Sequence, residues 1–231
     1  MDNIKIIRDE VTKLLSTDDS GHGMDHVNRV CKLALSLIDD DTNRELVSSI
    51  ALLHDVDDYK LFGKEFSDNL TNTKMILSKT GFTENEKELI INSVKTIGFS
   101  KRISGITPNI REAMIVSDAD MLDAIGVIGI LRTYHYVITH GNIFFDKNKF
   151  PILNIDAETY KAKENDTAVN HIFEKILKLK NLMLTDKGRN EALRRYNFVL
   201  NFLVEFFYEE DVPEWQEYLN SYIKNNEIKN I

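Results

Sequence analysis

Ala51-Leu52-Leu53-His54-Asp55-Val56-Asp57-Asp58-Tyr59-Lys60 decides how this chain is read. An apolar run ends in a histidine followed directly by an aspartate. Two more carboxylates and a lysine come within about two helical turns. Adjacent His and Asp seldom serve packing, because each needs a polar partner and aspartate is almost never buried unpaired. At the buried end of an apolar helix they point to a metal site, so other segments must supply the remaining ligands.

Upstream of the doublet, a helix beginning near Thr42 puts Leu46, Ile50, Leu53 and His54 on one face. A second helix over 24–38 carries His26, Val30, Leu33 and Leu37 at steps of four, three and four, so His26 falls in its apolar stripe. Residues 3–15 read as a first amphipathic helix with Ile4, Ile7 and Val11 on one side. Downstream, the spacing predicts a helical pair over 65–78 and 84–97. Gly81 is the expected C-cap between them, and Thr83 with Glu86 forms a capping box. Residues 98–108 read as a loop. The next helix, 109–119, should end in Asp118-Ala119-Asp120, an electrostatically poor place for two carboxylates. Such an aspartate is expected either to cap a neighbouring element or to ligate a metal.

A helix over 122–136 follows, with Gly126 and Gly129 allowing close packing. Residues 140–164 form a long irregular stretch bearing Phe144, Phe145 and Phe150. Helices are expected over 166–184 and 188–208, then a tail with one short helix packing Trp215 and Tyr218 inward. With three prolines in 231 residues and this recurrent spacing, the fold class is all-α. The expected architecture is a single helical domain, with a motif-bearing core over about 20–136 and C-terminal helices over 166–231. No linker marks off a second domain.

Composition narrows the function. A hydrophobic fraction of 42% and a charged fraction of 29% are those of a soluble globular protein. Thirty-seven acidic against 29 basic side chains give a net charge of −8, which argues against broad binding to nucleic acid or anionic membrane. The single cysteine, Cys31, excludes a disulfide framework and a thiolate zinc cluster. The start lacks a signal-peptide pattern and no apolar run is long enough to cross a bilayer, so a cytoplasmic protein is expected. Three inward-facing segments together offer two imidazoles, of His26 and His54, and two carboxylates, of Asp55 and Asp120. Mixed nitrogen and oxygen ligation suits Mn, Fe, Co, Ni or Zn better than a site built for Mg or Ca.

The order His, then His-Asp, then a distant Asp resembles the HD-domain metal-dependent phosphohydrolase superfamily. Four segments are similar to its bacterial YpgQ/YedJ-type subgroup, whose members resemble nucleotide pyrophosphohydrolases: Ser20-Gly21-His22-Gly23-Met24-Asp25-His26-Val27-Asn28-Arg29-Val30, Ala51-Leu52-Leu53-His54-Asp55, Ser117-Asp118-Ala119-Asp120-Met121-Leu122-Asp123-Ala124-Ile125-Gly126, and Thr167-Ala168-Val169-Asn170-His171 with Glu174-Lys175-Ile176-Leu177-Lys178-Leu179-Lys180. The resemblance implies that His26, His54, Asp55 and Asp120 hold one divalent ion, Mn first, with Ni, Co, Fe, Zn or Mg as alternatives. This chain departs from the subgroup at His22-Gly23, where His-Asp is common. It departs again at Val56-Asp57-Asp58, where an apolar residue, glycine and aspartate are frequent. Asp57 is thus an extra charge with no assigned role.

Four ligands on an octahedral ion leave room for water and a phosphate oxygen. Asp58, one turn beyond His54, is the expected carboxylate for that water, with Asp123, one turn beyond Asp120, as second choice. Arg29, Lys60 and Arg132 are the expected phosphate-holding cations, and His22 is expected to touch phosphate or act as an acid. His171 is expected to pack, and Phe144 and Phe145 to anchor their loop rather than stack on a base.

The expected reaction cuts nucleoside or deoxynucleoside triphosphates to monophosphate and pyrophosphate. The alternatives are a 5'-nucleotidase, a cyclic-nucleotide phosphodiesterase, or a silent nucleotide-binding sensor. The expected partner is a small-molecule nucleotide, with no nucleic acid and no membrane; a homodimer is left open.

Overall fold

The computed structural model describes residues 2–16, 23–153 and 167–228. It is all-α, with no strand among the described residues. The chain forms two compact units, one of Met1–Asp123 with Asn181–Asn190, the other of Ala124–Lys180 with Glu191–Ile231.

The first unit contains α1 (Asn3–Leu15), α2 (Met24–Leu37), α3 (Arg44–Leu53), α4 (Tyr59–Phe62), α5 (Lys64–Asn69), α6 (Thr71–Leu77), α7 (Glu84–Val94), α8 (Phe99–Ile103) and α9 (Arg111–Asp123). Helix α3 is the centre of it, packing against α1, α2, α7 and α9. Seven of its ten residues are buried, from Leu46 through Leu53, so it has almost no polar face. Helix α2 buries a single stripe of His26, Val27, Val30, Cys31, Ala34 and Leu37. Helix α9 is buried nearly all round, which erases the amphipathic period that a surface helix shows. These three helices bring His26, the His54-Asp55 doublet and Asp120 to one place.

Several boundaries differ from expectation for local reasons. The predicted helix over 65–78 is two helices, α5 and α6, broken at Leu70 with φ +49°. The capping box of Thr83 and Glu86 starts α7, whereas Gly81 lies beyond the C-cap, Ser78, of α6. The expected loop 98–108 contains α8, entered through Gly98 at φ +113°. Helix α9 runs on to Asp123, so Asp118 and Asp120 lie within it. The predicted continuation over 122–136 is interrupted at 124–126, where Gly126 takes φ +91°.

The second unit contains α10 (Val127–Thr139), α11 (Ala168–Glu174), most of a 3-10 helix (Ile176–Leu182), the greater part of α12 (Asp186–Glu209) and α13 (Pro213–Ile228). The helix predicted over 166–184 is α11 followed by the 3-10 turn. Aromatic side chains form this unit's core. Phe145 meets Phe206, Phe207 and Trp215 at centroid distances of 5.3, 5.8 and 5.0 Å, and Phe150 stacks on Trp215 at 4.4 Å. Phe144 packs edge-on to Phe206 at 5.2 Å. The phenylalanines of the irregular stretch therefore anchor it, and Trp215 Nε1 adds a hydrogen bond to the Lys147 carbonyl at 2.9 Å. The remainder of that stretch, 154–164, lies outside the described residues.

Candidate metal centre

His54 is the C-cap of α3, where backbone carbonyls lack intrahelical partners. Its Nδ1 lies 2.8 Å from the Ala51 carbonyl oxygen. A carbonyl only accepts, so Nδ1 carries the hydrogen and the neutral ring leaves a lone pair on Nε2. His26, in the first turn of α2, makes the equivalent choice with a carboxylate. Its Nδ1 lies 2.7 Å from Asp123 Oδ2, which again leaves Nε2 as the lone-pair nitrogen.

Those two Nε2 atoms face each other at 3.2 Å. Asp55 Oδ2 is 3.4 Å from His26 Nε2 and 3.5 Å from His54 Nε2. Asp120 Oδ1 is 3.5 and 3.8 Å from the same two atoms. The ligand atoms of His26, His54 and Asp120 all lie within 4.8 Å of one another. Ligands about 2.0–2.2 Å from a shared ion sit roughly 3.0–3.5 Å apart at neighbouring corners, so the spacing fits one cation.

The electrostatics agree. Burial works against an imidazolium at His26, yet hydrogen bonds with Asp120, Asp123 and Asp55 raise its pKa well above the ordinary value. Burial likewise opposes ionisation of Asp120, but its hydrogen bond with His26 and the charges of His54 and His26 outweigh this and lower its pKa. A positive charge is thus favoured where Asp55, Asp120 and Asp123 converge on His26, and a metal ion would supply it in place of the second imidazole proton, freeing Nε2 to ligate. A cation is the complement such a pocket requires.

The HD-domain family model matches residues 23–125, which span His26, the His54-Asp55 doublet and Asp120. A solved structure from Lactobacillus plantarum is 32% identical, covers 90% of this chain and 96% of its own, and superposes with a TM-score of 0.77. An HD-superfamily hydrolase from Bacillus thuringiensis is 30% identical over 90% of this chain and 96% of its own, with a TM-score of 0.69. The chain belongs to the HD-domain superfamily. YpgQ of Bacillus subtilis is 29% identical over 210 residues, 90% of this chain and 92% of YpgQ. The match to its crystal structure in complex with ADP, at 25% identity, covers 90% of this chain and 94% of that one, with a TM-score of 0.66. HD-superfamily hydrolases are metal-dependent phosphohydrolases, and HD domains bind divalent metals.

The other motif residues of this HD domain take distinct places. Asp58 is half-buried and starts α4, its carbonyl accepting from Leu61 and Phe62. Asp123 is buried and engaged by His26 and Arg29. Arg29 donates from Nε to Asp123 Oδ1 at 2.7 Å and from Nη2 to Oδ2 at 3.0 Å. Lys60 belongs to α4, and its side chain lies outside the described residues, as does all of His22. Arg132 lies on α10 in the second unit. His171 lies in α11 and its carbonyl accepts from Lys175.

Two aspartates of the motifs turn out to be remote helix caps. Asp57, 4% exposed, accepts from the Asn72 and Thr73 amides at 2.8 and 2.9 Å and from the Thr73 hydroxyl at 2.7 Å. It caps the first turn of α6. Asp118 accepts from the Leu184 and Thr185 amides, both at 2.8 Å, and from the Thr185 hydroxyl at 2.7 Å, just before α12. Burial raises the Asp118 pKa against these hydrogen bonds. Gly188 is required there, because a Cβ would stand 2.2 Å from Asp118 Oδ2. Asp118 is thus a cap, whereas Asp120 is the carboxylate of the pair that faces the two imidazoles.

Proposed function

We propose that this protein hydrolyses a phosphoanhydride bond of nucleoside or deoxynucleoside triphosphates, giving monophosphate and pyrophosphate. The observation that carries the reading is the convergence of two Nε2 lone pairs, 3.2 Å apart, with the carboxylates of Asp55 and Asp120 around them. His26, His54, Asp55 and Asp120 would hold one divalent ion. Mn is the first candidate, and Ni, Co, Fe, Zn and Mg are the alternatives. When bound, such an ion polarises a phosphoryl oxygen and acidifies water.

The chain's own groups would do the rest. Asp58 is the candidate to orient the attacking water and accept its proton. Arg29 commits Nε and Nη2 to Asp123, while its Nη1 makes no hydrogen bond among the described residues. That edge would donate to a phosphate oxygen. His22, Lys60 and Arg132 remain candidates for the same charge. The ADP bound to YpgQ supports a nucleotide as ligand class. A 5'-nucleotidase is the runner-up, since the same ligand set serves a monoester.

The test is a panel of dNTPs, NTPs, monophosphates and cyclic nucleotides with metal-loaded protein, products being resolved by chromatography. The expected result is monophosphate and pyrophosphate in equal amounts. Orthophosphate from a monophosphate, with no pyrophosphate from any triphosphate, overturns the assignment. Tight nucleotide binding with no turnover under any divalent metal moves the protein to the sensor class.

A further inference from the structure

We propose that Asp123 is the positioning residue of the metal centre and that Arg29 locks it in place; this rests on the metal-site reading above. A base for the attacking water needs a lone pair that water can reach. The Asp123 side chain is 1% exposed, and both its oxygens are engaged. Oδ2 receives His26 Nδ1–H at 2.7 Å and Arg29 Nη2 at 3.0 Å, and Oδ1 receives Arg29 Nε at 2.7 Å. Its contacts are those of a clamp on a ligand rather than of a proton acceptor for substrate. Outer partners of this kind fix the tautomer and orientation of a ligating imidazole.

The arrangement has a simple sequence form. Each of two packed helices presents a candidate ligand and, one turn on, a supporting residue: His26 and Arg29 on α2, Asp120 and Asp123 on α9. The two supporting residues bond to each other across the helix pair. That bond sets the helix register and hence the approach of His26 Nε2 to Asp120 Oδ1 at 3.5 Å. It also settles the charge. Arg29 offsets Asp123, leaving Asp55 and Asp120 as the two negative charges to be matched by a divalent cation. Without Arg29, three carboxylates would surround His26.

The experiment is a calorimetric Mn2+ titration of the full chain as wild type, Asp123→Asn, Arg29→Lys and His54→Ala, with melting temperatures of the metal-free proteins. Asp123→Asn is nearly isosteric but turns a donor toward Arg29. It should weaken Mn2+ binding about 10–100-fold while the metal-free protein still melts cooperatively. Arg29→Lys keeps the charge, loses the fork and should show a smaller loss. A second readout is the Nδ1–H resonance of each histidine in the Zn2+-loaded protein. In Asp123→Asn the His26 signal should shift, while that of His54, bonded to the Ala51 carbonyl, stays. Undiminished Mn2+ affinity in Asp123→Asn, with binding abolished in His54→Ala, overturns this proposal and leaves the metal site standing. Equal loss of both histidine signals assigns Asp123 to folding alone and also overturns it. A wild type that binds no divalent ion removes the metal site and this proposal together.

Discussion

Asp55 and Asp57 stand two residues apart in one tight turn and have opposite surroundings. Asp55 Oδ2 approaches two imidazole nitrogens, whereas Asp57 is closed over by the start of α6. Substituting them should separate stability from metal binding. Asp57→Ala strands two amides and a hydroxyl and should cost about 1–3 kcal/mol in urea denaturation. Its Mn2+ affinity should stay within a few-fold of wild type. Asp55→Ala and His54→Ala should do the reverse, abolishing Mn2+ binding and hydrolysis, because each removes a converging lone pair from the centre. A metal-binding defect in Asp57→Ala matching that of Asp55→Ala would sink the distinction. The doublet was legible in the sequence because its chemistry is local: His and Asp at the end of an apolar run have few other uses. Asp57 was not legible, since its partners are backbone amides 15 and 16 residues away that no side-chain pattern announces. Asp123 was read from its place one turn beyond Asp120 as a second-choice carboxylate for water and not as a partner of His26, since that contact joins residues 97 apart.

At the scale of elements, helix periodicity located α1 and α2 almost to the residue and the start of α3 to within two, because each has a clear buried stripe or a capped start. It failed where the backbone leaves the helix without a polar cluster to signal it, as at Leu70, or where a buried helix has no polar side, as at the end of α9. The turn between α9 and α10 shows what the glycines do. Gly126 takes φ +91°, and a Cβ on Gly129 would lie 2.1 Å from the Ala124 carbonyl oxygen. Gly129→Ala should therefore force that turn open and lower stability by about 1–3 kcal/mol, read from chemical denaturation. Alanine at an ordinary helix position is slightly stabilising, so an unchanged or raised midpoint would contradict this close approach.

Across the whole molecule the four candidate metal ligands lie in the first unit, but acid sensitivity should arise in both. In the first unit Lys13, then Lys79, bond to Glu10 and draw its pKa from 4.5 to about 2. In the second, Arg194 and then Arg195 draw Glu191 from 4.5 to about 2. Both carboxyls have folded pKa values below their unfolded ones. The unfolded chain thus binds more protons between about pH 4.5 and 2, and stability rises with pH in that window. Their contribution is complete above pH 4.5 and disappears as pH falls towards 2. Asp118, raised by burial, acts with the opposite sign above its unfolded value, but Asp39 and Glu86 are lowered and side with the majority. Thermal melts in EDTA from pH 6 to 2.5 should therefore show a falling midpoint below pH 4.5. Glu10→Gln and Glu191→Gln should each make that fall shallower by melting slightly below wild type near neutrality, where the ion pair is intact, and converging with it towards pH 2.5; the gap is small because exposed ion pairs contribute little. Melting curves whose acid slope is the same in both variants and wild type would place the acid sensitivity in other groups, with Asp39 and Glu86 next to be substituted.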